Sequence, residues 1–594
     1  MVLPMRLTNV THLRLPFGRL WGYDVSASAL GRRLPVSFDQ RLHVGAGDRP
    51  GSWMALSFRL PAQTDRESIA DAWLAVVARH GTLRSAFARG ADGDPTLHEI
   101  GISPGSWVEH QVGPGQAVND ALRDILDAEC SPYGRPSHRL CVLETAAGLT
   151  VVIAADHAHV DMWSMLVIVR DLLSALDAGT AGAKPMSTPR SAPAFVEHTQ
   201  ALLDKDPAPD HVRRRWEAII ADSGGVMPQF PLSLGAPEPH RERVEVRDVF
   251  DVDDAAAFAA QARDDGVSTL ASAVVAMTAV TREVAGTALR AVFPVHSRFE
   301  DDWHDSVGWF ITNSVLESEL AEPHAAAAAV KEAVQLGAWP LADVLAPWGG
   351  MPVAPGMFAI SWLDLRRLPV RIDSVGLDAQ YVSAATDTDG VTLWFILDES
   401  GLHLRCRYPD TAEARTNVGG WLDLLVARMQ ADARSSVRGR LQVAGRTFRV
   451  ERATRDDIEA IAALLSDDRF GADRESVELD RYEAGFRAVI RDASNYLGVV
   501  RDSADRIVAT MQLTVIPGLS RGGSIRLQIE GLRVATAERS RGLGAAMLEW
   551  AHEFGRARGA TLSQITTDEA RDRTRAFYTR LGYQTAHVGL KRNI

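Results

Sequence analysis

In the stretch VVIAADHAHVDMWSMLVIVRDL, residues 151–172, an apolar run gives way to Asp156, His157, His159 and Asp161, and then to a second apolar pattern. Val151 to Ala155 are short, apolar and partly β-branched, which suits a buried strand. From Met165 onward, Leu166, Val169, Leu173 and Leu176 recur at helical spacing, with Arg170 and Asp171 expected on the opposite face. His157 and Asp161 therefore fall on a strand-to-helix connection, which can hold side chains rigidly at the floor of a cleft. An imidazole held there can take a proton from an attacking nucleophile, and a nearby carboxylate can orient it. By spacing alone, a histidine on such a connection is more often a solvated or hydrogen-bonded residue than a catalyst.

A second constellation lies in IRLQIEGLRVATAERSRGLGAAMLEWAHEFGRARGA, residues 525–560. A strand pattern runs to Val534. Arg539, Gly542, Leu543 and Gly544 then lead into a helical pattern that sets Leu543, Met547, Trp550 and Phe554 on one face. Glycines at a helix start let backbone N–H groups approach an anion, and the helix N-terminus adds a favourable field. A pyrophosphate is the natural guest, although an isolated Gly-x-Gly is a common turn.

The elements around these sites belong to a chain of 594 residues, long enough for roughly three to five lobes. Apolar residues make up 46% and charged residues 24%, as in soluble globular proteins rather than disordered ones. The formal net charge is −12 and no Lys/Arg-rich block appears, which argues against nucleic acid or an anionic membrane as the main partner. Cys130, Cys141 and Cys406 show no disulfide or zinc spacing, and His159, His296 and His304 have no metal-ligand spacing, so no metal site is expected. No stretch reaches the ~18 apolar residues of a membrane span, and a cytoplasmic location is the expectation. The Gly/Ala/Ser/Pro-rich segment 177–195 reads as a crossing between lobes. A break near residue 440 precedes a new strand, Thr454 as N-cap and an acidic first turn. The expected domains are 1–178, 190–438 and 445–594.

DHAHVDMWSMLVIVRDL resembles the HHxxxDGxS signature of nonribosomal peptide synthetase condensation domains and the related HxxxD acyltransferases. LPVSFDQRL (34–42), ARHGTLRSAF (78–87) and FPVHSRFEDDWHDSVGWFITNSV (293–315) resemble three further motifs of that family, in the family's order. The resemblance implies a two-lobed, chloramphenicol-acetyltransferase-like α/β (α+β) fold and acyl transfer from a phosphopantetheine thioester to an amine or hydroxyl. His157 matches the second His of the signature, Asp161 its mainly structural Asp, and Arg298 the Arg that pairs with it. The chain departs from the signature at Asp156, where the family has its first His, and at Met162, where it has Gly. Met162 would either narrow a substrate path or fill a gap. In VGWFITN, Thr312 takes the family's Asn position and Asn313 follows it.

RSRGLG, with RVERATRDDIEAIAALL before it and TTDEARDRTRAFYTRLGY after it, resembles the GNAT N-acetyltransferases over residues 447–590. That implies a mixed-sheet domain using acetyl-CoA or another acyl-CoA. Backbone groups at Leu532 and Val534 would lie beside the acyl carbonyl and pantetheine arm, and Arg539, Ser540, Arg541, Gly542, Leu543, Gly544 and Ala545 would cradle the pyrophosphate. Tyr578 would protonate the departing thiolate, or else be a core aromatic. Glu530, on a half-buried strand before the loop, would serve as a base through water. Together these features imply a bifunctional acyltransferase of specialised metabolism acting on a small-molecule substrate. Its donor would come from a carrier protein in trans, since neither an adenylation signature nor a carrier Ser motif is present. An alternative stays open, in which the first 440 residues only dock a carrier or substrate and the GNAT part alone is an enzyme. The acceptor and the oligomeric state are not encoded in any motif.

Overall fold

Val151, Ile153 and Ala155 of the strand Gly148–Asp156 enter one apolar cluster, while Val152 and Ala154 enter another on the opposite side. That double burial is why the run reads as continuously apolar instead of alternating. The computed structural model describes residues 6–585 except 181–191, 435–438, 468–478, 568–571 and positions 62, 147, 375, 399 and 493. Most of the expected crossing 177–195 and the start of the break near 440 lie outside the described residues. Two units are distinguished, one covering the chain to Asp251 together with Ala262–Met429, the other Val252–Gln261 together with Gln430 onward.

The larger unit holds two seven-stranded sheets and a small three-stranded one. In the first sheet, Gly148–Asp156 lies between Trp53–Leu60 and His138–Thr145. Helices Arg66–Arg79 and Met162–Thr180 cover one face, and helix Val118–Glu129 covers the other. Strand Gln380–Ser383, from late in the chain, also enters this sheet, between Arg6–Asn9 and Trp53–Leu60. The second sheet pairs Ile311–Ser318 with Leu289–His296 antiparallel, which places Thr312 opposite Val295. The alanine-rich segment is the helix Pro323–Leu336, as its composition predicts.

Arg170 and Asp171 do not form the solvent face expected for Met162–Thr180. Asp171 is buried and lies 2.8 Å from His80 Nε2, and Arg170 pairs with Asp171 and Asp305. ARHGTLRSAF thus ties the first long helix to this one through a buried His–Asp contact, which apolar periodicity does not register.

The smaller unit carries a six-stranded sheet in the order Arg440–Val443, Arg446–Arg452, Asn495–Arg501, Ile507–Pro517, Ile525–Val534, Ala560–Ile565. Among the described residues, only the last pair is parallel. Helix Leu543–Ala557 packs on this sheet through buried Leu543 and Met547 and partly buried Trp550 and Phe554, the face its spacing predicts. Among the described residues, no helix is long and apolar enough to cross a membrane.

Candidate functional site

His157 sits on the turn between Gly148–Asp156 and Met162–Thr180, and both sides of that turn are fastened. Its backbone N–H donates to the Ser52 carbonyl at 3.0 Å. Gln40, on helix Phe38–Gly45, donates from Nε2 to the Ala158 carbonyl at 2.8 Å and is itself set by a capping box with Ser37. LPVSFDQRL therefore acts by clamping the turn. The imidazole lies against the indole of Trp309, with ring centroids 4.2 Å apart and planes 31° apart, and its Nδ1 is buried without a hydrogen-bond partner among the described residues. Burial pushes the His157 pKa below the ordinary imidazole value. The ring is thus neutral near pH 7, the form able to accept a proton.

Asp161 makes no hydrogen bond to His157, contrary to the orienting role its spacing predicts. It accepts the Ser164 N–H (2.6 Å), the Phe310 N–H (3.0 Å) and the Arg298 guanidinium (3.2 and 3.3 Å). Arg298 also donates to the Trp303 and Ser306 carbonyls, both at 2.7 Å, and to the Ser164 hydroxyl at 2.8 Å. It is 2% exposed and its guanidinium carbon lies 3.8 Å from the Phe310 ring centroid. This network pins the segment after Leu289–His296 to the helix following the His157 turn. Gly308 leaves room for a third element, since a Cβ there would come within 2.4 Å of the ring of Phe195, the first residue of helix Phe195–Leu203. Met162 packs partly buried against the core of the first sheet, while its carbonyl accepts the Tyr381 hydroxyl at 2.9 Å.

Asp39, from the same clamping helix, faces Thr312 and Asn313, whose Nδ2 lies 3.5 Å from Asp39 Oδ1. Burial pushes its carboxyl up from 3.8 to about 7. A folded-state value above the unfolded one means the fold binds the extra proton. Stability is then fully present below about pH 4 and is lost as pH rises through about 7. Asp39→Asn is accordingly expected to stabilise the chain at pH 8 by about 2–4 kcal/mol and to do little at pH 4. Thermal melts at the two pH values check this, and an unchanged midpoint at pH 8 would contradict it.

His43, Arg49, Gln40 and Trp309 carry no signal in linear spacing, although the motifs quoted above contain or adjoin all of them but Arg49. His43 Nε2 lies 3.2 and 3.3 Å from the oxygens of Asp156, and Arg49 lies 2.8 Å from His43 Nδ1.

In the smaller unit, Glu530 lies on the exposed side of its half-buried strand, and among the described residues its side chain makes no hydrogen bond. Just after it the ladder is irregular: Gln512 pairs with Glu530 and Thr510 with Arg533, so Met511 stands opposite both Gly531 (φ +58°) and Leu532. Such a bulge turns backbone groups at Leu532 out of the ladder. Ser540 (φ +61°) and Gly542 (φ +94°) then bend the chain into helix Leu543–Ala557, whose start has no side-chain cap and no acidic residue. The site fits the pyrophosphate of an acyl-CoA: an uncapped helix start, glycines at the bend, and Arg541 beside it. Not every expected cradle group is available. Arg539 donates to the Val534 carbonyl and to Asp467, and the Ala545 N–H bonds to Gly542 within the helix. Tyr578 is 9% exposed within the apolar core, its ring 5.3 Å from Phe577 and 5.8 Å from Tyr583.

Comparison with known proteins follows the same division. The condensation-domain family model matches residues 42–336, and the GNAT acetyltransferase family model matches residues 458–583. The probable non-canonical nonribosomal peptide synthetase CymA of Salinispora arenicola is 28% identical over 310 residues, which is 49% of this chain but only 4% of CymA. The acyltransferase PapA3 of Mycobacterium tuberculosis is 22% identical over 425 residues, 68% of this chain and 90% of PapA3. A solved structure of the PapA2 acyl transferase aligns with a TM-score of 0.63 at 19% identity, over 72% of this chain and 99% of that one. The fold is thus a condensation-type α/β architecture followed by a GNAT mixed sheet.

Proposed function

We propose, for an acyltransferase whose chain joins a condensation-family domain to a GNAT-family domain, that the two domains carry out two acyl transfers in specialised metabolism. In the first, an amine or hydroxyl attacks the carbonyl of a phosphopantetheine thioester delivered by a carrier protein. The new C–N or C–O bond forms, the C–S bond breaks, and the thiol leaves with a proton. His157 takes the proton from the nucleophile as it attacks, a contribution of about 10²–10⁴ in rate. Asp161 and Arg298 act at one remove, by holding the helix that starts beyond the turn. The observation that carries this reading is the imidazole of His157 lying against the Trp309 ring with its buried Nδ1 unpaired among the described residues.

In the second, an acyl-CoA supplies an activated acyl group to an amine of the substrate or product. Arg541 and the backbone at Gly542, Leu543 and Gly544 hold the pyrophosphate. Leu532 aligns the pantetheine arm, Glu530 receives the amine proton through water, and Tyr578 returns a proton to the departing thiolate. One fused chain keeps the intermediate of the first transfer at high effective concentration for the second. The reactions are expected to take place in the cytoplasm.

Calorimetric titration of acetyl-CoA into the full chain tests the second half without knowledge of the acceptor. One site is expected, weakened tenfold or more in Gly542→Val, because a β-branched residue resists that left-handed bend. Binding that survives Gly542→Val would remove the loop from the account. A second site that persists in this variant would mean that the condensation part also draws on CoA thioesters.

A further inference from the structure

Asp156 is a fully buried carboxylate that, among the described residues, has no Lys or Arg as ion-pair partner; its side chain is 0% exposed and its partner is His43. Arg49 decides which way the proton sits. It donates to the carbonyls of His43 (2.8 Å) and Gly47 (3.1 Å) and, at 2.8 Å, to Nδ1 of the His43 ring. Nδ1 is therefore an acceptor, and the ring proton lies on Nε2, aimed at Asp156. Asp156 Oδ1 also accepts the N–H of Ala158 at 2.9 Å, closing the turn around His157. Burial alone would push the Asp156 carboxyl up, but the hydrogen bond from His43, with smaller contributions, outweighs it and keeps the group charged. Trp309 lies against both imidazoles, 5.2 Å from His43 and 4.2 Å from His157, and the two imidazole centroids are 6.2 Å apart.

We propose that Arg49, His43 and Asp156 form a positioning relay for His157, fixing its turn and keeping a permanent negative charge beside the imidazole that favours its protonated form. The relay rests on the reading of His157 as the base. Its chemistry is plain: when His157 takes a proton it becomes a cation in a buried place, and a fixed carboxylate nearby offsets the cost. The titratable groups around the ring are His43 on the clamping helix, Asp156 and His159 on its own turn, and Asp161 at the start of the next helix, already paired with Arg298. Asp156 is the only unshared anion in this set.

The test is a histidine titration by NMR on the full chain labelled at imidazole Cε1, with the His157 signal identified by its loss in His157→Gln. Asp156→Asn is expected to lower the titration midpoint of His157 by about one pH unit. His43→Ala should lower it as well, because a buried Asp156 without its donor takes up a proton. His43→Gln, whose amide can donate from nearly the same place, should restore the wild-type midpoint. A purely structural contact would lower the melting temperature in Asp156→Asn and leave the His157 midpoint where it was, which overturns the relay. Identical midpoints in His43→Ala and His43→Gln overturn it equally, and this pair decides the matter if Asp156→Asn does not fold. The readout needs no substrate. Failure of the relay is therefore separable from failure of His157 as base, which acyl-transfer rates decide.

Discussion

Arg298→Ala is expected to cost about 3–5 kcal/mol of unfolding free energy in the larger unit, the range for breaking a buried ion pair. The size follows from what the guanidinium leaves behind. Asp161 is buried at 1% exposure, and without Arg298 its charge would rest on two backbone N–H groups alone. The Ser306 carbonyl would lose its donor at the same moment and add its own desolvation penalty, while the Trp303 carbonyl would keep only the Ser306 N–H. The double variant Arg298→Met with Asp161→Asn should recover much of the loss, since it removes both charges and keeps the volume filled. Denaturant unfolding followed by tryptophan fluorescence measures both, with Trp163 and Trp303 beside the network as local reporters. A cost under 1 kcal/mol for Arg298→Ala would mean that water reaches Asp161 and that the pair is not the lock described above.

The same network shows where the sequence is readable and where it is not. Val151 to Ala155 declare a buried strand, and Leu166, Val169, Leu173 and Leu176 a helix, because burial imposes a period that survives in one dimension. Asp171 breaks that reading: its burial depends on His80, ninety-one positions earlier, and a polar side chain satisfied by a distant partner looks like a surface residue in any local window. The strand Gln380–Ser383 is hidden for a related reason, since four residues are too few to show a period and its partners lie far off in the chain. That Glu530 lies on the exposed face of its strand is hidden too, because strand alternation does not reveal which face is covered. The bend at Ser540 and Gly542 was legible because glycine and helix-start chemistry are local. His43 and Arg49 were not, because their meaning lies in Asp156, more than a hundred residues onward.

His157→Gln and His157→Ala are both expected to slow acyl transfer from a thioester donor by about 10²–10⁴, with the fall in kcat rather than in KM. Gln is the sharper test, because it keeps a hydrogen-bonding side chain of similar length on the turn and removes only the titratable base. The pH profile carries further information. Activity requires the neutral imidazole, and burial holds the His157 pKa below the unperturbed 6.5. The acidic limb of kcat/KM should therefore lie below 6.5, so that at pH 6 the enzyme keeps a larger share of its activity than an unperturbed histidine would allow. If Asp156 supports the cation as inferred, Asp156→Asn moves that limb lower still and also lowers the plateau, since a weaker base takes the proton less readily. A rate within threefold of wild type in His157→Gln would leave the imidazole as a packing partner of Trp309 and transfer the chemistry to another group.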